Sequence, residues 1–380
     1  MRKILFNNPI YLKASIENTK KFIYQKKSLY GSGNNLKTIK IILKKNLKFK
    51  NILLTNSCTS ALEISALAIK HYSNLKNEII IPSYSYITSG SSFVRAGFKL
   101  RYCDIEKDNL MPSFNSIKKL CNKKTAAIVI THYQGFSVNY LNKLKLFCKK
   151  NNIYLVEDAA QAFGSYFKNI PLGNFGDFAC FSFHETKNIH CGAGGMLVVN
   201  NKKMITLSKY IFDKGSDRED VINKKSKYYS WVTIGSSFLM TELSASFLLP
   251  QIIHYEKIVR VRKKIYLEYL RRLTKLNNNN FQIINNKSNF KYNYHALVIV
   301  LKRNIRNKFL LFLKKFNIHA FIGYMPLHKS KRGKIFLLKS SQLKNTNLFS
   351  NKIIRLPLNN YMNKNDLKVI NDKIKIFFNR

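Results

Sequence analysis

The feature that most limits what this chain can fold into lies between residues 51 and 199, where short β-rich runs alternate with helical periodicity. The runs are "NEIIIPS", "FKLRYCDI", "AAIVITHY", "IYLVED", "FACFSF" and "GMLVVN". They hold few alternating polar residues, so both faces of each run must be covered. Helical patterns over 59–72 and 139–151 supply such cover. Apolar strands linked by helices predict an α/β fold with a large, mostly parallel sheet. Past residue 240 come long helical segments, an Asn-rich loop at 277–280, then "YHALVIVL", a helical pattern over 304–316, and "HAFIGY". These predict a small C-terminal α/β unit, with the large domain over 1–250 and the small one over 251–380. At 380 residues the chain is long enough to bury a core of that size.

Charge needs its own account: 66 Lys and Arg against 19 Asp and Glu give a formal net charge of +47. A nucleic-acid binder usually gathers its charge on one face or tail, interleaved with aromatic residues. Here Lys and Asn run along the whole chain, often beside Ile, as in "NNLKTIKIILKKNLKFKN". That distribution reads as drift toward AT-rich codons laid over an ordinary enzyme, and it predicts no specific nucleic-acid partner. A selected role toward polyanions is the alternative, since the field favours anionic ligands either way.

Six cysteines show no CxxC pair and no metal-ligand spacing, so no metal is expected. Cys148 and Cys180 lie in apolar contexts that suit reduced, buried thiols. The N-terminal "MRKILFNNPIYLK" has too short an apolar stretch for a signal peptide. No run approaches the roughly 18 apolar residues of a membrane span. A soluble, cytoplasmic protein without membrane insertion is expected.

Several marked residues fall at the carboxyl ends of strands, where open α/β sheets bind ligands. "LLTNSCTSALEISAL" is a strand, a turn of small hydroxyl residues and a helix. Thr59 and Ser60 there either hold a phosphate on the helix N-terminus or belong to ordinary capping. Asp158 closes "IYLVED", where it either balances a protonated ring nitrogen or caps a helix. "FSFHETKN" brings Ser182, His184 and Lys187 together after a strand, upstream of a glycine-rich "CGAGG". Taken together, phosphate donors, a carboxylate for a pyridinium and a lysine are what pyridoxal 5′-phosphate requires. A lysine forms the Schiff base, and a desolvated amine loses its proton more easily for that attack.

Eight strings, "TNSCTSALE", "IPSYSYITS", "VEDAAQA", "CFSFHETKN", "DKGSDR", "IGSSFLMTEL", "YMPLH" and "RLPL", make the chain resemble the DegT/StrS family of pyridoxal-phosphate-dependent sugar aminotransferases over nearly its full length. "FSFHETKN" with "IGSS" resembles the subgroup that aminates TDP-4-oxo-6-deoxy-D-glucose in enterobacterial common antigen synthesis. The resemblance implies the aspartate-aminotransferase fold (fold type I) and ping-pong transamination from L-glutamate to C4 of the TDP-linked oxo-deoxy sugar. The implied product is TDP-4-amino-4,6-dideoxy-D-galactose. A sister enzyme acting on another nucleotide-linked 3- or 4-oxo sugar would share every cofactor residue. A basic nucleic-acid-binding protein that merely keeps the fold is the reading from another class.

By the same resemblance Lys187 is the Schiff-base lysine, Asp158 the pyridinium partner, and Gln161 the contact to the phenolic oxygen. Thr59, Ser60 and Ser182 would hold the phosphate, and Tyr86 would stack on the ring. Ser237 would reach the phosphate of a neighbouring subunit, which implies a homodimer with shared active sites. Arg218, His295 and His328 lie in motifs used near substrate. Two departures stand out: Ala193 replaces the acidic residue of an "EGG" turn, and "LSAS" at 243–246 replaces "LQAA".

Overall fold

A computed structural model describes residues 2–73, 75–276, 279–285 and 291–379. Part of the expected Asn-rich loop, residues 277–278, lies outside these. An eight-stranded sheet forms the centre of the larger part, in the order Ile52–Thr55, Gly195–Val199, Phe178–Ser182, Tyr154–Asp158, Thr125–Thr131, Glu78–Pro82, Lys99–Cys103, Leu337–Ser340. Every β-rich run read from the sequence is one of these strands. All neighbours pair in parallel except those of Gly195–Val199, which runs antiparallel to both of its partners.

Side chains alternate across the sheet, and the packing follows that period of two. Ile80, Ile128, Ile130, Leu155 and Phe181 enter one core layer. Their neighbours Ile79, Ile81, Ala127, Val129, Val156 and Cys180 enter the other. Both layers are apolar because helices cover both faces, and each fully buried Ile or Val side chain contributes about 1.5–3 kcal/mol. The helices Cys58–Tyr72 and Leu141–Lys150 lie where the periodicity placed them.

The reversed strand has a simple cause. Parallel neighbours need a crossover, usually a helix. Between Ser182 and Gly195 the chain makes only a tight loop, closed by Phe183 N–H to Gly194 O at 2.8 Å and Glu185 N–H to Gly192 O at 2.9 Å. Without a crossing helix the strand can only return beside its predecessor, and Lys187 sits in that loop. A close backbone approach fixes the loop's position, because a Cβ on Gly195 would lie 2.3 Å from the Ser57 carbonyl carbon and 2.4 Å from Cys58 N. Glycine lets the strand pass directly beneath the start of the Cys58–Tyr72 helix.

The C-terminal sheet is antiparallel, in the order Phe281–Ile284, Leu297–Leu301, Ile353–Leu356, Phe321–Ile322. Leu297, Ile299, Leu301, Ile354 and Leu356 pack under the helices Tyr255–Leu276, Arg306–Lys315 and Lys364–Phe378. Val298, Val300 and Ile353 face the opposite way, toward Tyr84 and Tyr133 of the larger part. Two segments cross the division placed at residue 250. Ile4 pairs with Ile318, on the C-terminal side, and Leu337–Ser340 joins the large sheet beside Lys99–Cys103. No helix among the described residues is long and apolar enough to cross a membrane.

Candidate active site

A cavity of about 360 Å³ opens at the carboxyl ends of the central strands, and Thr59, Tyr86, Asp158, Gln161, Ser182 and Lys187 line it. Four different strand–loop junctions deliver these residues, so no stretch of the sequence shows the constellation by itself.

The turn before the Cys58–Tyr72 helix is held by its own hydroxyls. Ser57 Oγ accepts from Ser60 N–H at 3.0 Å, and Ser60 Oγ donates to Asn56 Oδ1 at 2.5 Å. Ser57 and Thr59 therefore face the cavity, while Ser60 is buried and spends its hydroxyl on the turn. The first N–H groups of a helix have no intrahelical acceptor, and this 15-residue helix aims them at the cavity beside Thr59.

Asp158 is 3% exposed at the end of its strand. Burial pushes its carboxyl above the ordinary aspartate value, while bonds from Ser89 Oγ at 2.5 Å and Ala160 N–H at 3.2 Å pull it back, helped by Lys187 and His132. Ser89 sits in a buried hydroxyl chain with Ser85 and Thr131. Strand alternation sends the preceding Glu157 to the other side of the sheet. There it accepts from Gly173, Phe175 and Gly176 N–H groups and pairs with His132 Nε2 at 2.9 Å. Adjacent carboxylates thus do separate work: Glu157 fixes a loop and Asp158 faces the cavity.

Lys187 is half-buried in the tight loop. Burial first and Arg355 second lower its pKa, Cys58 and Asp158 oppose them, and the net shift is from 10.5 to about 8. Gln161 is held rigidly, with Oε1 accepting from Gln134 N–H at 2.8 Å and Nε2 donating to Tyr324 Oη. Tyr86 stands at the mouth, 55% exposed, its ring 6.0 Å from that of Tyr324.

The remaining expected residues lie around this group rather than in it. His295 is buried, its Nδ1 3.1 Å from Asn188 Oδ1, and burial with nearby Lys187, Arg355 and Arg262 holds its ring neutral. Both ring nitrogens of His328 have partners, Ser83 Oγ at 2.6 Å and Asn347 Oδ1 at 3.1 Å. Arg218 approaches Asp213 at 3.9 Å and lines a separate cavity. Ser237 is exposed outside the cavity, and its carbonyl accepts from Asn56 Nδ2 at 3.1 Å. Sequence reasoning assigned no role to Tyr324, Arg355 or Ser89. The first two sit inside "YMPLH" and "RLPL", but nothing local sets one tyrosine or one arginine apart in so basic a chain.

A half-buried lysine facing a buried carboxylate, on a parallel sheet with an antiparallel neighbour strand and a small C-terminal α/β part, defines the fold-type-I pyridoxal-phosphate class. The particular family follows from comparison: the DegT/DnrJ/EryC1/StrS aminotransferase family matches residues 13–375, and the chain belongs to it. GDP-perosamine synthase of Vibrio cholerae is 27% identical over 338 residues, 88% of each chain. The UDP-4-amino-4,6-dideoxy-N-acetyl-beta-L-altrosamine transaminase of Campylobacter jejuni is 26% identical over 333 residues, 86% of this chain and 85% of its own. Helicobacter pylori PseC, an aminotransferase involved in the biosynthesis of pseudoaminic acid, superposes with a TM-score of 0.90 at 23% identity over 100% of both chains.

Membership brings pyridoxal 5′-phosphate as the cofactor. The residues present fit it: an amine with pKa about 8, a buried carboxylate, and hydroxyls beside a helix N-terminus share one cavity.

Proposed function

We propose that this sugar aminotransferase moves the amino group of L-glutamate to C4 of TDP-4-oxo-6-deoxy-D-glucose, giving TDP-4-amino-4,6-dideoxy-D-galactose. The observation that carries the reading is Lys187, an amine made unusually easy to deprotonate, in one cavity with buried Asp158.

When bound, pyridoxal phosphate supplies an electron sink for the pair left behind as a proton leaves the substrate carbon. Lys187 Nζ would hold the cofactor, and the same Nζ would serve as the base that takes the proton from the α-carbon of glutamate and as the acid that returns it. With a pKa near 8 it can accept and return a proton close to neutral pH. Asp158 holds a proton on the ring nitrogen, with Ser89 keeping its carboxylate turned into the cavity. Thr59, Ser182 and the helix N-terminus take the phosphate; Ser60 supports them through the turn. Gln161 would contact the cofactor's phenolic oxygen, and Tyr86, at the mouth, would stack on its ring.

Support for a nucleotide-linked sugar comes from relatives whose names carry GDP- and UDP-linked sugars, one of them a 4-amino-4,6-dideoxy sugar. Support for TDP and for the galacto product rests on "FSFHETKN" and "IGSS". Borohydride reduction and peptide mapping should place the pyridoxyl label on Lys187; a label on another lysine removes the catalytic assignment. Product analysis with glutamate as donor decides the acceptor. An axial 4-amine on TDP-linked sugar supports the reading, whereas amination at C3, or turnover only with another nucleotide, assigns the chain to a sister activity.

A further inference from the structure

Three residues past Lys187, His190 is 2% exposed and joins the lysine loop to the N-terminal segment. Its Nε2 stands 2.9 Å from the Ile10 carbonyl oxygen, and its Nδ1 lies 3.3 Å from Gly192 N. A carbonyl only accepts and a backbone N–H only donates, so these two bonds fix the tautomer. Nε2 carries the proton and donates to Ile10, while the Nδ1 lone pair accepts from Gly192. The same Gly192 closes the loop, because its carbonyl accepts from Glu185 N–H at 2.9 Å. The His190 backbone is held as well: its N–H donates to Gln251 Oε1 at 3.0 Å, and its carbonyl accepts from Gln251 Nε2 at 2.8 Å. Tyr11 and Phe247 pack against the ring, with centroids 5.9 and 5.6 Å away.

The N-terminal segment is tied at its other end to the C-terminal sheet. Ile4 bridges Ile318, and the Phe6 carbonyl accepts from Leu358 N–H at 3.1 Å. Phe6 lines the active-site cavity, and Asn7 Nδ2 donates to the Glu185 carbonyl at 3.2 Å. Residues 4–11 therefore run from the small sheet, past the cavity, to the lysine loop, and the His190 ring fastens that tether. Such fastening matters to the chemistry, because a reacting group misplaced by about 1 Å can lose roughly 100-fold in rate.

Both ring bonds need the neutral imidazole. A proton on Nδ1 would remove the lone pair and set two N–H groups against each other. Burial lowers the ring's proton affinity and His184 adds to this, while the bond to Ile10 and the charge of Glu185 oppose them. The N-terminal segment brings the phenol of Tyr11 to the ring, and the Glu242–Ile253 helix brings the uncharged Phe247 and Gln251.

We propose that neutral His190 is a positioning residue that fixes the Lys187 loop against residues 4–11, and that its protonation releases both. The role given to Lys187 rests on the transaminase reading above; the clamp itself does not depend on that reading.

The test is amide hydrogen exchange on the holoenzyme, read by peptide after correction for the chemical exchange rate. Between pH 7.5 and 4.5, peptides covering 4–11 and 183–194 should lose protection at least about threefold, with a midpoint below roughly pH 6.5, while the central strands stay protected. Asp158 also takes up a proton on acidification, so two variants isolate the imidazole. His190→Gln can still donate to Ile10 but cannot titrate, and His190→Ala can do neither. At pH 7.5 cofactor release, followed by loss of the bound cofactor's absorbance, should be at least about threefold faster in the Ala variant and intermediate in the Gln variant. The acid step in loop protection should be absent from both. An equal acid step in the native chain and His190→Gln would overturn the proposal, as would native cofactor release and loop protection in His190→Ala. If neither variant folds, the native chain decides. No acid step, or one spread over the central strands, overturns the clamp; a step confined to the two peptides supports it. A borohydride label on another lysine would remove the role given to Lys187 and leave the exchange measurement to decide the clamp.

Discussion

In the proposed reaction two residues with displaced proton affinities set the chemistry, and the signs of their shifts make predictions. Lys187 has its pKa lowered from 10.5 to about 8, so its neutral amine is present above pH 8. The rate at which the cofactor-free protein takes up pyridoxal phosphate, followed at the absorbance of the bound cofactor, should rise through pH 8; a rise only near 10.5 would contradict the desolvated amine. The unfolded chain binds this proton more tightly than the folded one. Lys187 therefore lowers the stability of the cofactor-free protein as pH falls from 10.5 through about 8, and Lys187→Met should flatten that dependence in pH-resolved melting. Asp158→Asn keeps shape and removes charge, so transamination should fall at least about 100-fold while the variant stays folded and binds cofactor. Ser89→Ala should act through Asp158: with its donor gone, the carboxyl moves further up, and activity falls most at low pH. A pH-independent loss would make Ser89 a packing residue.

At the scale of elements, strands buried on both faces were legible in the sequence because a covered sheet demands uninterrupted apolar runs. The direction of Gly195–Val199 was not, since pairing sense is set by the connection, and the 183–194 loop has no composition that marks it as a return. Its structural signature is Gly195. Gly195→Ala would drive a Cβ into the Ser57–Cys58 backbone, which has no flexible end to yield. The expected cost is roughly 1–3 kcal/mol of stability, with weaker cofactor retention because the helix N-terminus beside Thr59 must move. Denaturant melting and cofactor dialysis measure the two effects; unchanged retention would separate the helix start from phosphate binding.

For the whole molecule, the few acids show where charge is retained for a purpose. Of 19 Asp and Glu, six are buried: Glu78, Asp104, Glu157, Asp158, Glu242 and Asp366. Each accepts specific bonds; Glu242, for example, receives Asn35 and Leu36 N–H at the start of the Asn34–Leu47 helix. Most of the lysines among the described residues are exposed, a placement that drift and a selected polyanion role share. Beside Ser237, Tyr228 is 84%, Trp231 82% and Ile234 70% exposed, an apolar segment that suits cover by a second copy of the chain. If Ser237 serves a neighbouring site across a two-fold axis, Ser237→Ala should weaken cofactor retention with the dimer intact. Mixing Ser237→Ala with Lys187→Ala chains should then restore activity, because each heterodimer holds one whole site and one doubly damaged site. A fully active monomer by sedimentation would end the shared-site idea.

The sequence alone determined what depends on local order: strand and helix positions, the small-residue turn at 56–60, Asp158 at a strand end, and Lys187 in the motif after Ser182. These are legible because apolar period, turn chemistry and residue type act over a few neighbours. Only the tertiary structure decided that Thr59 and not Ser60 faces the cavity, that Ser89 steadies Asp158, that both nitrogens of His328 are engaged elsewhere, and that Arg355 arrives beside Lys187. The Ser89–Asp158 and Ser83–His328 bonds and the arrival of Arg355 beside Lys187 join residues more than 60 apart in the sequence, brought together by the sheet order, and the solvent exclusion that moves a lysine from pKa 10.5 to about 8 arises in the same packing. Desolvation and long-range pairing belong to the packed chain, so residues one at a time carry no sign of them.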